Sequence, residues 1–191
     1  MYLFFDTETT GLPKNYKAPV TEVDNWPRLV QLAWMLYDAA GVLVERNNTI
    51  VQPEGWTIPD QAARLHGITT QQAAIEGFPI AYVLKHFERA LGEADLIVAH
   101  NMAFDEKIVG AEFLRLGLPD FIHDKRRACT MLASVTYCAL QGQYGFKWPK
   151  LRELYKKLFG CEFEGQHNAA NDIEATAKCF FELKRLNILT L

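Results

Sequence analysis

Two carboxylates stand two residues apart at the end of an apolar run, Tyr2-Leu3-Phe4-Phe5-Asp6-Thr7-Glu8-Thr9-Thr10-Gly11. In an extended strand, side chains two apart leave the backbone on the same face, so Asp6 and Glu8 point together while Phe5 and Thr7 face the other way. Like charges held side by side against an apolar layer are costly, and a divalent cation, which favours hard oxygen ligands, relieves that cost. The pair therefore predicts a metal site. Three more residues with suitable chemistry follow in chain order: Asp105 in His100-Asn101-Met102-Ala103-Phe104-Asp105, then His167, then Asp172. Taken singly, each has a plainer reading. An acid early in a helix complements the helix dipole, and an isolated histidine is more often a surface or satisfied group.

These residues need elements to position them. Residues 2 to 6 read as a first strand, with a second over Leu29 to Tyr37 and a third at about Val42 to Val51, the last two joined by a turn at Asp38 to Gly41. Helical patterns take over at about Asp60 to Leu65, Thr70 to Glu76 and Ile80 to Leu91, where Val83, Leu84, Phe87 and Leu91 keep helical spacing. Leu96-Ile97-Val98-Ala99 reads as a short buried strand. Asp105 is expected to open a helix reaching about Leu116, stopped by Gly117 and Pro119. Further helices are expected at about Thr130 to Leu140, Lys150 to Phe159 and Ala169 to Leu186. This order predicts an α/β fold with a mixed central β-sheet flanked by α-helices.

The chain has 191 residues, 49% of them hydrophobic, enough to bury the core of a single domain spanning residues 1–191. Its four cysteines show no metal-binding or disulfide spacing, which fits reduced thiols in a cytoplasmic protein. No signal-type segment or membrane-length apolar run is present, so no membrane partner is expected. A net charge of -3 and a pI near 6.0 argue against tight duplex binding through phosphates and leave nucleic-acid contact to local patches. Two basic clusters qualify. Lys125-Arg126-Arg127 reads as a solvated face, whereas Lys147, Lys150, Arg152, Lys156 and Lys157, with Tyr144, Phe146 and Trp148 interleaved, suit guidance of a single strand.

The three acidic motifs, supported by Leu65-His66-Gly67-Ile68-Thr69 and Cys129-Thr130-Met131-Leu132, resemble in order the DEDDh group of DnaQ-like 3′-to-5′ exonucleases, the family of the proofreading epsilon subunit of bacterial DNA polymerase III. The resemblance implies a ribonuclease-H-like fold. It also implies two divalent ions, Mg²⁺ or Mn²⁺, held by Asp6, Glu8, Asp105 and Asp172, with His167 as general base. Two such ions activate the attacking water and stabilise the leaving 3′ oxygen. Around the terminal nucleotide it points to Thr9, Leu65, His66, Asn101 and Phe104; His66 reads equally well as a helix cap, and Phe104 as core.

The expected activity is 3′-to-5′ hydrolysis of single-stranded or frayed DNA to nucleoside 5′-monophosphates, in proofreading or repair, with a DNA polymerase as an expected partner. Attack on RNA or short oligonucleotides is the alternative within the same chemistry, and a non-catalytic nucleic-acid-binding module is the alternative outside it. A glycosidase, whose two carboxyl groups flank a sugar, fits the same-strand pair poorly. No long polymerase-docking tail is expected after the last helix.

Overall fold

The computed structural model describes residues 1–163 and 169–190. Five strands, β1 (Tyr2–Thr9), β2 (Leu29–Tyr37), β3 (Leu43–Ile50), β4 (Leu96–Ala99) and β5 (Arg127–Cys129), form one sheet in the order β3-β2-β1-β4-β5. β1 pairs antiparallel with β2 and parallel with β4, and β5 runs parallel to β4. The sheet is thus mixed, as expected, and β1 lies at its centre with neighbours on both edges.

Strict alternation divides the sheet into two buried faces. Leu3 and Phe5 of β1, Leu32, Trp34 and Leu36 of β2, and Ile97 and Ala99 of β4 belong to one core cluster. Against them pack Val83, Leu84, Phe87 and Leu91 of α3 (Ile80–Glu93) and Ile108, Val109 and Phe113 of α4 (Met102–Arg115). The residues in between, Phe4, Ala33, Met35, Leu96 and Val98, face the opposite cluster. That side is covered by Ile173, Ala177, Phe180 and Leu183 of α8 (Ala169–Arg185) and by Leu154 of α7 (Leu151–Phe159). Fully burying one such aliphatic or aromatic side chain contributes about 1.5–3 kcal/mol, so the period-two pattern fixes the register of every central strand. Two short helices, α1 (Asp60–His66) and α2 (Thr70–Glu76), pack Ala62 and Ala73 into a small separate cluster with Val30, Ile58 and Ile68.

The elements differ from expectation in four places. β1 runs on through Thr9 because its pairing with β2 continues to Thr9↔Leu29, with an irregularity between Glu8 and Thr9. α4 starts at Met102, so Asp105 sits within its first turn rather than at its start. The single helix expected over Thr130 to Leu140 is two, α5 (Thr130–Ala133) and α6 (Val135–Cys138). Between them the Ser134 hydroxyl donates to the Thr130 carbonyl at 2.7 Å, a back-bond that bends helices. Finally, β5 and a separate two-stranded ribbon, β6 (Gln141–Gly142) with β7 (Gly145–Phe146), are too short for a periodic signal.

Candidate active site

β1 and β4 are parallel, so the turn from β4 into α4 emerges beside the carboxyl end of β1. Asp6 and Glu8 lie on the same face of β1 as Phe4, the face covered by α8, and Asp172 enters from the first turn of α8. Ligand oxygens of Asp6, Glu8 and Asp172 all come within 4.8 Å of one another, an all-oxygen set suited to a hard divalent cation. Asp105 arrives from the other layer. α4 covers the opposite face, on which Thr7 lies, and Thr7 holds the Asp105 carboxylate from both its backbone N–H, at 3.1 Å, and its hydroxyl, at 2.7 Å. The strand thus passes between the acids: three meet on one side of its end, and the fourth is clamped from the other.

Burial and mutual repulsion leave these acids reluctant to ionise by themselves. The Asp6 carboxyl is held well above the usual carboxylate range, first by burial and then by the charges of Asp105, Asp172 and Glu8. Glu8 is pushed up to about 8, by burial and then by Asp172 and Asp105. Asp105 is raised to about 7 by burial, although the two Thr7 hydrogen bonds oppose the rise. A cation placed among them would reverse each of these shifts, because it stabilises the ionised forms.

The acids open into a cleft of about 670 Å³, lined by Asp6 and Asp172 together with Asn101, Phe104, Met131, Trp148, Lys150, Arg152 and Phe163, among others. Asn101 and Phe104, both expected near the terminal nucleotide, are therefore in the cleft. Asn101 adopts the left-handed conformation, φ 77° and ψ 45°, which asparagine tolerates better than most residues, and this reverses the chain between β4 and α4.

Thr9, Leu65 and His66 do not line this cleft. The Thr9 hydroxyl donates to the Gly11 carbonyl at 2.7 Å and so shapes the loop after β1. Leu65 is exposed, while His66 is buried with Nδ1 accepting the Ile68 N–H at 3.1 Å. That leaves the His66 proton on Nε2, which makes no hydrogen bond within the described residues although the Thr9 backbone is near enough to raise its pKa; burial lowers it by more. His167 lies outside the described residues.

Two side chains of the site have no role in the sequence reading, which places only the backbone around Thr7 to Gly11 near the terminal nucleotide. The Thr7 side chain falls on the face opposite Asp6, and that alternation is itself the available clue, since a hydroxyl between two acids on a central strand has to meet whatever helix covers its face. His100 is the other. Its Nδ1 lies 2.9 Å from the Thr130 hydroxyl and its Nε2 lies 3.0 Å from the Pro149 carbonyl. A carbonyl only accepts, so Nε2 carries the proton and Nδ1 accepts from Thr130. Burial holds the ring neutral, with its pKa lowered to about 4.

Residues 3–180 match the family RNase_T, described as Exonuclease. The PolC-type DNA polymerase III of Listeria welshimeri is 29% identical over 183 residues, covering 95% of this chain and 11% of that protein. The PolC-type DNA polymerase III of Staphylococcus aureus is 28% identical over 196 residues, covering 98% of this chain and 12% of that protein. The chain therefore spans about a ninth of the length of these relatives. Among solved structures, Escherichia coli exonuclease I in complex with a dT13 oligonucleotide superposes with a TM-score of 0.74 at 21% identity, over 97% of this chain and 42% of that one. A product-bound exonuclease I gives 0.75 at 19% identity, over 98% and 44%. At such identities the likeness shows the fold, and it is the mixed-sheet, ribonuclease-H-like one.

Proposed function

We propose that this chain, which belongs to the exonuclease family and is a nuclease of the hydrolase class, removes nucleotides one at a time from the 3′ end of single-stranded or frayed DNA, releasing nucleoside 5′-monophosphates. The observation that carries the reading is the convergence of Asp6, Glu8 and Asp172 within 4.8 Å, with Asp6 and Asp172 lining an open cleft. Burial, with added repulsion from Asp105 and Asp172, raises the pKa of Asp6 and Glu8, and burial raises that of Asp105, a cost that a bound cation would offset.

Asp6, Glu8 and Asp172, with Asp105 buried beside them and held by Thr7, fit Mg²⁺ or Mn²⁺ by donor chemistry, and the exonuclease I–single-stranded DNA complex is known in a zinc-bound form. When bound, two such ions activate water and stabilise the leaving 3′ oxygen. The chain's own residues supply the rest. Thr7 fixes the Asp105 carboxylate so that it keeps its orientation whether or not it is ionised. Phe104 and Asn101 border the space a terminal nucleotide would fill. His167 is proposed as the base that accepts the proton of the attacking water, a role suited to an imidazole titrating near neutral pH. The likeness to PolC-type polymerases, and the dT13 strand bound by exonuclease I, support DNA as substrate and proofreading beside a polymerase as the setting.

The test is a digestion panel of 5′-labelled single-stranded DNA, matched and 3′-mismatched duplex, and RNA, each with Mg²⁺, Mn²⁺ or EDTA. Stepwise shortening of single-stranded DNA, faster at mismatched than at matched ends and stopped by EDTA, is expected. Digestion that persists in EDTA would overturn the metal assignment, and faster digestion of RNA would overturn the substrate.

A further inference from the structure

One wall of the cleft comes from a segment that takes no part in holding the carboxylates. β6 and β7 form a ribbon outside the main sheet, and the ladder continues where the Lys147 N–H donates to the Leu140 carbonyl at 2.9 Å. Beyond it the chain runs through Trp148 and Pro149 to Lys150, just before α7. This stretch displays three aromatics at every second position: Tyr144 is 94% exposed, Phe146 47% and Trp148 65%. A ribbon of two short strands is marginal by itself, and a fold that only needed to close a loop would not hold three large rings in water.

The charge around them has one sign. Between Leu140 and Lys157 there are five cations and one acid, Glu153, in a chain whose net charge is -3. Glu153 neutralises Lys147, 2.6 Å away, while Lys150 and Arg152 form no ion pair within the described residues. Both line the cleft beside Trp148, and the same cleft reaches Asp6 and Asp172. The His100 bond to the Pro149 carbonyl ties this wall to the residue just ahead of Asn101 and α4, the helix that carries Asp105. Trp148, Lys150 and Arg152 thus share one cleft with Asp6 and Asp172, and Phe146 and Tyr144 lie on the ribbon that leads into it.

We propose that residues 144–152 form a binding track for the nucleotides lying 5′ of the scissile bond in a single strand, with bases stacking on Tyr144, Phe146 and Trp148 and phosphates beside Lys150 and Arg152. The proposal rests on the nuclease reading above and deepens it. Stacking on aromatic rings is sequence-tolerant, because every base has a π-face. It also demands bases free of a partner strand, so the track is a source of single-strand preference that the carboxylates cannot provide.

The experiment measures kcat/KM for oligothymidylates of two, four and eight nucleotides, with the wild type, the Tyr144→Ala/Trp148→Ala double variant and the Tyr144→Phe/Trp148→Phe double variant. The exposure of both rings means their loss removes little packing, and circular dichroism checks the fold. Wild type should gain at least about tenfold in kcat/KM from two to eight nucleotides. The alanine variant should lose most of that gain, chiefly through KM, and the phenylalanine variant should keep it. A wild type that digests strands without length dependence, or an alanine variant that keeps the full gain, overturns the track while leaving the nuclease reading intact. A wild type that digests no strand at any length overturns both.

Discussion

The molecule buries carboxylates in two places and treats them in opposite ways. Glu112, on α4, is 1% exposed and surrounded by its own counter-charges: Arg28 reaches it at 2.9 and 3.2 Å, Arg115 at 2.8 Å, and the Leu29 N–H donates to it at 3.0 Å. Arg28 also exchanges backbone and hydroxyl hydrogen bonds with Thr10, so this cluster anchors the loop that follows β1. About two helix turns earlier on α4, Asp105 is held by Thr7, and its pKa and those of Asp6 and Glu8 are driven upward instead. The chain demonstrably can satisfy a buried acid with arginine. Among the described residues no arginine pairs with Asp6 or Glu8, which accords with the cation site proposed above.

The sharpest way to break the comparison is to remove one acid from each region. Asp6→Asn should cut turnover by at least about 10²–10³-fold, since it strips charge from the centre of the site. Measured without metal, the same variant should be as stable as wild type or more so, because it relieves repulsion. Glu112→Gln should do the reverse: it takes the shared carboxylate from two partly buried guanidinium groups and costs roughly 1–3 kcal/mol in urea unfolding. If Asp6→Asn proves as destabilising as Glu112→Gln, the two clusters are both structural and the contrast fails.

Metal should then separate them further. A cation that binds only the folded state stabilises it by about 2.7 kcal/mol at one hundred times its dissociation constant. Thermal unfolding in Mg²⁺ or Mn²⁺ should show this gain in wild type and in Glu112→Gln, and little of it in Asp6→Asn. His167→Ala is expected to lower turnover by roughly 10²–10⁴-fold while retaining the metal-induced thermal gain. An unchanged rate near neutral pH would exclude it as the base.

A subtler difference is the pH dependence of the metal-free protein. The carboxyls of Asp6, Glu8 and Asp105 have folded-state pKa values above their unfolded ones, so the folded state binds more protons and stability falls as pH rises. The fall should span the interval from ordinary carboxylate values up to about 8, the value for Glu8, and disappear with saturating metal. Smallest of all should be Thr7→Val. Losing the hydroxyl bond that favours ionised Asp105 should move the acid limb of the pH–rate profile to higher pH, with the rate at high pH nearly retained. An unshifted limb would mean that Asp105 ionisation does not limit the reaction.

Much of this was legible in the residues. Asp6-x-Glu8 on a strand requires one shared face whatever the fold, and the run Leu96-Ile97-Val98-Ala99 had to be buried because both of its faces are apolar. Periodicity located α3 because fourteen residues give a clear amphipathic signal. β5, with three residues, and the β6–β7 ribbon, with two in each strand, carry none, so the strand beside β4 and the aromatic wall of the cleft emerged only in three dimensions.

The sequence by itself determined the chemistry: which side chains are acids, their order, the strand that pairs two of them, and the excess of cations and aromatics before α7. Tertiary structure decided what each acid meets. Whether a buried carboxylate becomes a neutralised anchor, as Glu112 does, or one pushed towards its protonated form, as Asp6 is, depends on groups brought in from distant positions, Arg28 in one case and Asp105 and Asp172 in the other. Local pattern records the period of a strand or helix, but Coulomb energy falls with distance in space, and only the packed fold sets those distances.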